Sequence, residues 1–312
     1  MSGETLQVYF LGTAAALPTP NRNPTCIMIR RGSDTLLFDC GEGAQQQMMR
    51  ARTGFTVDAV FITHWHADHY LGLCGLVQTM AFNGRKEPLT IYGPKWVHEF
   101  AAALEDISHT KIGFRIYSSE VRDGTVIPFD GYTVRAFSVR HGMPALGYIL
   151  CEDERPGRFN RQRAIELGIK PGPLFGRLQQ GKTVTIERDG ETVEIKPSDV
   201  MGEPRPGRKI VYSGDTRPHP DGWEKWGADA DLLIHDATYD DSEKARAQEV
   251  FHSTAGEAGE IAAKINARKL ALVHASSRYT NMTTHIRDAG QNYKGEIIAP
   301  NDLDMIEIPF RD

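Results

Sequence analysis

The sequence is short of cysteine, and what it has is scattered. Cys26, Cys40, Cys74 and Cys151 are the four in 312 residues, and no two stand at CxxC spacing. That excludes a zinc ribbon and a disulfide framework, and leaves free buried thiols in a reducing compartment as the expectation. Long apolar runs are missing as well. No stretch approaches the roughly 20 residues needed to span a bilayer, so no membrane segment is expected. The opening MSGETLQVYF passes almost directly into a strand-like alternation, without a basic region and apolar core, so no signal peptide is expected and the cytoplasm is the expected location. Positive charge is not in excess. Lys and Arg number 36 against 41 Asp and Glu, a net charge of −5 that disfavours non-specific coating of nucleic acid. Low-complexity tracts are lacking too. At 40% hydrophobic and 25% charged, with 30 Gly and 17 Pro, the composition is that of a globular protein with a full core.

What is present is an alternation of short strands and helices. Leu6–Phe10, Thr25–Arg30, Thr35–Asp39, Ala59–Thr63, Leu89–Tyr92 and Tyr132–Val139 read as strands between Gly, Pro and Asn punctuation. Ala44–Arg50 and Tyr70–Phe82 have helical spacing. The rhythm breaks between residues 155 and 208, a Pro- and Gly-rich stretch expected as an inserted, poorly packed arm. Inside it, Thr183–Glu187 and Glu191–Ile195 flank a Gly-containing turn and predict a hairpin. Arg161–Leu167, stopped by Gly168, predicts a short helix, and Pro171-Gly172-Pro173 a stiff turn. The alternation then resumes with strands Lys209–Ser213, Leu232–His235, Leu270–His274 and Met305–Pro309. Helix Thr254–Ala267 opens on a capping box of Thr254 and Glu257. The two halves share a loose common rhythm.

The densest chemistry lies in Thr63-His64-Trp65-His66-Ala67-Asp68-His69. Three of eleven histidines fall within six residues, with an aspartate among them, directly after a buried-type strand. Imidazole and carboxylate are ligands for zinc and similar borderline metals. In extended chain, residues i and i+2 point the same way, so His64 and His66 can share one ion. Asp68 and His69 turn into the following helix and can serve a second. Four residues cannot fill two sites, and three more candidates stand just past buried-type strands: His141, Asp215 and His274. Ligands at strand ends converge on a crevice at one sheet edge.

His64-x-His66-x-Asp68-His69 with a distal His, an Asp and a last His resembles the metallo-β-lactamase superfamily. Further segments narrow the resemblance to its ribonuclease Z family: Phe10-Leu11-Gly12-Thr13, Leu37-Phe38-Asp39-Cys40-Gly41-Glu42, Tyr92-Gly93-Pro94, Pro171-Gly172-Pro173, Ser213-Gly214-Asp215-Thr216-Arg217 and Ser277-Arg278-Tyr279. The resemblance implies a single α/β domain over 1–312, a four-layer αββα sandwich with an exosite arm inserted at 155–208. It implies two divalent metal ions, with His64, His66 and His141 on one, Asp68, His69 and His274 on the other, and Asp215 bridging; zinc is the expected metal, and the ligand set tolerates manganese or iron as well. Asp39 is expected to orient a ligating histidine from behind. The implied activity is endonucleolytic removal of the 3′ trailer from precursor tRNA by metal-hydroxide attack after the discriminator nucleotide, leaving a 3′-hydroxyl on the tRNA. Asp68 would orient the nucleophile, as ligand and base together. His235-Asp236-Ala237-Thr238 resembles the family's His-Glu-Ala-Thr and His252-Ser253-Thr254 its His-Ser-Thr, which implies that His252, oriented by Asp236, protonates the departing 3′ oxygen. The alternative on the same fold is a small-molecule phosphodiesterase or thioester hydrolase.

From Arg155 to Thr185, Arg155, Arg158, Arg161, Arg163, Lys170, Arg177 and Lys182 face a single Glu166, a local +6 in a chain of −5. A basic segment in an acidic protein suits a phosphate backbone. The resemblance implies that this arm grips the tRNA elbow from the partner subunit of a homodimer. Arg278 is expected either to contact phosphate or to form a structural ion pair. The loop Thr13–Asn23 resembles a family loop near the scissile phosphate. His98, His109, His219 and His285 fall outside every motif and are expected as surface or structural histidines.

Overall fold

A computed structural model describes residues 4–106, 112–188, 190–218 and 222–311. The strands are β1 Leu6–Gly12, β2 Cys26–Arg31, β3 Asp34–Phe38, β4 Ala59–Phe61, β5 Leu89–Gly93, β6 Ile116–Glu120, β7 Val126–Phe129, β8 Tyr132–Ser138, β9 Leu146–Glu152, β10 Val184–Arg188, β11 Glu191–Ile195, β12 Lys209–Tyr212, β13 Leu232–Asp236, β14 Lys269–Val273, β15 Glu296–Ile298 and β16 Met305–Glu307. Among the described residues they form two seven-stranded sheets, ordered β16-β1-β2-β3-β4-β5-β6 and β15-β14-β13-β12-β9-β8-β7, and a separate ribbon β10-β11.

The two large sheets repeat one plan, which is the physical content of the common rhythm in the sequence. In the first, β16, β1, β2 and β3 pair antiparallel, and β3, β4, β5 and β6 then run parallel. In the second, β7–β8 and β9–β12 are antiparallel, and β12, β13, β14 and β15 run parallel. Parallel neighbours need crossovers, which helices supply. Helices α1 Ala44–Arg50, α2 Ala67–Phe82 and α3 Val97–Asp106 lie between the parallel strands of the first sheet. Their Met48, Leu73, Leu76, Val77 and Leu104 pack on Leu37, Val60 and Ile91.

Between the sheets, inward-facing Phe10, Ile29, Phe38 and Phe61 meet Tyr132, Tyr148, Tyr212 and Ile234. Phe38 and Phe61 stack with ring centroids 4.9 Å apart. Each such side chain, removed from water, contributes roughly 1.5–3 kcal/mol. A third apolar layer places Ala258, Ile261 and Ala262 against Val211, Leu233 and Leu270. These three layers of contact make the four-layer αββα sandwich. The strands β4, β13 and β14 are buried along almost their whole length, as parallel strands covered on both faces must be.

The chain divides into two compact units. One comprises Met1–Cys151 and Arg208–Pro309, the other Glu152–Gly207 with Phe310–Asp312. The second unit carries α4 Arg161–Glu166, α5 Pro173–Gln179 and the β10-β11 ribbon. Contrary to the expectation of a poorly packed arm, it has its own small core of Ala164, Ile169, Leu178, Val184, Ile195 and Val200. Asn160 caps α4 by accepting from the Arg163 N–H at 2.9 Å. The expected stiff turn at Pro171–Pro173 proves to be a helix start: Pro173 opens α5, where the missing N–H costs nothing. In the first unit, α6 Glu224–Gly227, α7 Lys244–Glu249, α8 Ala255–Lys264 and α9 Thr283–Asn292 complete the fold. Cys26 and Cys40 are buried, while Cys74 and Cys151 are partly exposed.

Candidate active site

Six of the seven ligand candidates sit in the loop or helical turn that follows a parallel strand, and His141 follows β8, which pairs antiparallel with β7. Asp39 follows β3, His64 follows β4, Asp215 follows β12, Asp236 ends β13 and His274 follows β14. In open sheets this edge is where sites are built. Asp39 and His274 hold left-handed backbone, φ 58° and 63°, a conformation uncommon for residues with a Cβ and tolerated where function over-determines the geometry. The start of α2 must pass close to the Cys40–Gly41 backbone. The Cys40 N–H donates to His69 O at 2.7 Å and the Gly72 N–H to Cys40 O at 2.9 Å. A Cβ on Gly72 would collide with the Gly41 carbonyl, so glycine is required there.

The seven expected ligands converge. His66 Nδ1 lies 2.9 Å from His64 Nε2 and 3.1 Å from His141 Nε2. Asp68 Oδ2 lies 3.5 Å from His69 Nε2 and 3.4 Å from His274 Nε2. Asp215 Oδ2 stands between the two groups, 3.2 Å from His69, 3.3 Å from His274, 3.7 Å from His64 and 4.0 Å from His141. The sets His64–His66–His141, His64–His69–Asp215 and Asp68–His69–His274 each present donor atoms within 4.8 Å of one another.

The rings are fixed from behind. His64 Nδ1 is 2.9 Å from Thr63 Oγ1, His69 Nδ1 is 2.7 Å from Asp39 Oδ2, His141 Nδ1 is 3.0 Å from Phe251 O and His274 Nδ1 is 2.8 Å from Thr238 Oγ1. Each Nδ1–H therefore donates outward and each Nε2 faces the cluster. His69 Nε2 is buried without a hydrogen-bond partner. Burial lowers the pKa of His64, His66 and His141, keeping them neutral donors. Burial alone would raise Asp68, but the His274 hydrogen bond and the nearby His69 hold it at about 2. His69 is the exception: burial lowers it, but Asp215 at 3.2 Å and Asp39 at 2.7 Å outweigh that and raise it well above the ordinary imidazole value. Carboxylates that hold a positive charge among neutral imidazoles fit the binding of divalent cations.

Thr63 and Thr238 stand inside motifs of the sequence but are given no role there, and both are central. Thr63 Oγ1 donates to Asp39 (2.9 Å to Oδ2), and Thr238 Oγ1 donates to Asp236 Oδ1 at 2.7 Å. One Thr–Asp pair thus supports the ligands of each sheet. Threonine at a strand end reads as a β-former, so only the His-Asp-Ala-Thr segment gave any signal.

Asp236 Oδ2 lies 3.0 Å from His252 Nδ1 and also accepts the Thr216 and Ser253 N–H groups at 3.0 and 3.2 Å. Burial lowers the His252 pKa, but Asp236 outweighs it and lifts the group to about 9. His252 is a cation at neutral pH with Nε2 free for transfer.

His66, Asp68, His141, Asp215, His252 and His274 line an open cleft of about 760 Å³, together with the Ala15–Leu17 loop, Tyr239, Arg246, Val250 and Arg278. The loop bearing Ala15–Leu17 is clamped at both feet by Asp302, which accepts from Thr13 N at 3.0 Å and Asn23 N at 2.6 Å. Arg278 pairs with Glu243 at 3.0 Å and lies over the Tyr239 ring. The expected ion pair is present, and it sits among the residues that line the cleft. Arg246, unassigned in the sequence, joins it there.

The arm residues are described within their own unit. Arg158, Arg161, Arg163, Lys170, Arg177 and Lys182 are exposed. Arg155 is instead half-buried, its guanidinium 3.8 Å over the Phe310 ring and hydrogen-bonded to Arg311 O, which makes it a packing residue of that unit. His98 bonds Ser118 at the surface, and His285 is buried against Tyr279. His109 and His219 lie outside the described residues.

Residues 6–150 match the family described as anti-Pycsar protein Apyc1, and residues 189–275 match the beta-lactamase superfamily domain. A Ribonuclease Z of Methanosarcina acetivorans is 48% identical over 307 residues, 98% of this chain and 99% of that one. A Ribonuclease Z of Myxococcus xanthus is also 48% identical, over 308 residues, 98% of this chain and 99% of that one. The crystal structure of human tRNase Z, short form, superposes with TM-score 0.71 at 28% identity, covering 97% of this chain and 100% of that one.

Proposed function

The chain belongs to the ribonuclease Z family, and from that membership we propose that it removes the 3′ trailer of precursor tRNA after the discriminator nucleotide. The observation that carries this reading is the Asp236–His252 pair, 3.0 Å apart beside a converging set of seven metal-type donors. The pair gives a leaving oxygen its proton, which a site built for metal binding alone does not need.

Two divalent ions, with zinc the expected metal, would be held by His64, His66 and His141, by Asp68, His69 and His274, and by Asp215 between them, and would polarise the phosphate and acidify an attacking water. Asp68, ionised and open to the cleft, orients that water in line with the P–O3′ bond. As the bond breaks, His252 passes its Nε2 proton to the 3′ oxygen of the discriminator nucleotide. The products are a tRNA with a 3′-hydroxyl and a trailer with a 5′-phosphate. Asp236 stabilises the cationic imidazole before transfer and fixes the ring.

The exposed basic residues of the second unit, Arg158, Arg161, Arg163, Lys170, Arg177 and Lys182, serve as the arm that holds the tRNA body by its phosphates. A-form helices hide their base edges, so shape and phosphate contacts suit this substrate. The enzyme works as a homodimer in the cytoplasm, one subunit's arm presenting tRNA to the other's cleft. Among the described residues no helix is long and apolar enough to cross a membrane.

The test compares kcat/KM on a precursor tRNA with that on a free trailer oligonucleotide and on bis(p-nitrophenyl) phosphate. A preference of several orders of magnitude for the precursor is expected. Equal turnover of all three supports the small-molecule phosphodiesterase reading and overturns this one.

A further inference from the structure

Arg217 does not line the cleft among the described residues, yet it is bonded to the residue whose ring does the proton transfer. Its Nη1 donates to the His252 carbonyl at 2.6 Å and to Glu257 Oε2 at 2.7 Å, and its Nη2 donates to Glu257 Oε1 at 2.5 Å. Glu257 is nearly fully buried at the start of α8, where its Oε2 also accepts the Thr254 N–H at 3.0 Å. The guanidinium is thus anchored on a helix N-terminus by a fork of two charge-assisted bonds, a geometry that lysine cannot reproduce.

The segment it holds is one that needs holding. Phe251 has φ 61°, left-handed for a bulky residue, and its carbonyl accepts the Nδ1–H of His141 at 3.0 Å. The next carbonyl, that of His252, is the one that Arg217 grips. On the other side, Ser253 Oγ donates to Thr216 O at 2.5 Å, and the Arg217 N–H donates to Arg140 O at 2.8 Å. Residues 216–217, directly after Asp215, are therefore stapled to the strained turn 251–253. Strained backbone persists only where neighbours over-determine it.

We infer that Arg217, braced by Glu257, is the positioning residue that sets the His252 imidazole at the leaving oxygen. This rests on the acid role proposed for His252. Asp236 fixes the ring through Nδ1, and Arg217 fixes the backbone from which the ring projects. Neither constraint alone determines where Nε2 points.

The test uses leaving-group chemistry on the metal-loaded, full-length enzyme. Nitrophenolate departs without a proton, whereas the 3′ oxygen of a nucleotide needs one. Parent, His252→Ala, Arg217→Ala, Arg217→Lys and the double variant are assayed on precursor tRNA and on bis(p-nitrophenyl) phosphate. Arg217→Ala should lose about 10- to 100-fold in kcat on precursor tRNA, part of the roughly 10²- to 10⁴-fold that a general acid supplies, because the acid is misplaced and not removed. Its loss on the aryl diester should be at least tenfold smaller. Arg217→Lys should show the same selectivity, less strongly. In the double variant the Arg217 change should add almost nothing to the His252 change, since the two act as one unit.

Equal losses on both substrates, or full additivity with His252→Ala, overturn the clamp. If His252→Ala itself shows no leaving-group selectivity, the acid role fails, and the two failures are distinct. Should Arg217→Ala not fold, Glu257→Gln loosens the fork while keeping the Thr254 cap. It must then show the same substrate selectivity, and its absence overturns the inference equally.

Discussion

Asp236 Oδ2 and His252 Nδ1 stand 3.0 Å apart across sixteen residues of chain. Family resemblance places glutamate at this position, and the shorter side chain still reaches the imidazole. Asp236 accepts from Thr216 N, Ser253 N, Thr238 N, Thr238 Oγ1 and His252 Nδ1. It is a hub for backbone as much as a partner for the imidazole. Asp236→Ala should therefore reduce precursor cleavage by about 10²- to 10³-fold in single-turnover kinetics, the scale of a lost general acid. Full activity in that variant would remove Asp236 from the reaction.

The two threonines behind the ligands make a second prediction. Thr63→Val removes the acceptor for the His64 Nδ1–H, and Thr238→Val removes the one for His274. Each isosteric change should weaken metal affinity by about 10- to 100-fold, as losses of such supporting bonds do. Competition with a chromogenic chelator measures this directly. Unchanged affinity would mean that the rings hold their tautomer without the hydroxyls.

Chelation of the metal should lower the melting temperature. A ligand that binds only the folded state at a thousand times its Kd contributes about 4 kcal/mol. The ion-free cluster also places Asp68 and Asp215 beside each other's buried partners, with His69 Nε2 unsatisfied. Thermal melts before and after chelator dialysis, with re-addition of zinc, check this. A melt indifferent to metal would contradict the two-ion reading.

Asp302 ties both feet of the loop that walls the cleft. It accepts from Thr13 N, Thr13 Oγ1, Asn23 N and Gln47 Nε2. Asp302→Ala leaves two backbone donors without their acceptor, at about 1–3 kcal/mol for each group that stays buried. A lower melting temperature is expected, together with a raised KM for precursor tRNA as Ala15–Leu17 lose their fixed path. A variant that melts lower with the parental KM would make Asp302 a stability residue only.

The basic residues of the second unit are tested by salt. Replacing Arg161 and Lys170 by alanine should reduce the slope of log K against log salt for precursor tRNA by about one per lost phosphate contact. An unchanged slope would take these two residues off the tRNA.

Much of this site was legible because its parts are local or sit at predictable places. The run His64–His69 announces metal by density alone. His141, Asp215 and His274 were found because strands ending in a polar residue point to a sheet edge. What escaped is what only folding brings together. Thr63, Thr238 and Arg217 carry no metal-type chemistry, and their roles arise from neighbours up to 40 residues away, as between Arg217 and Glu257. Strands were missed where the pattern is polar or broken. β6 reads IYSSE, and β7 carries Pro128, which an edge strand tolerates. The buried β9 escaped because Gly147 interrupts its apolar run, and there the glycine makes room for the Phe137 ring.

The most direct measurement is cleavage of a precursor tRNA bearing a 3′ trailer, with both new ends mapped, beside an Asp68→Ala control. The account predicts one cut, directly after the discriminator nucleotide, leaving a 3′-hydroxyl and a 5′-phosphate, and its loss in the control. An intact precursor in the presence of folded, metal-loaded enzyme, or a cut that survives Asp68→Ala, would contradict it.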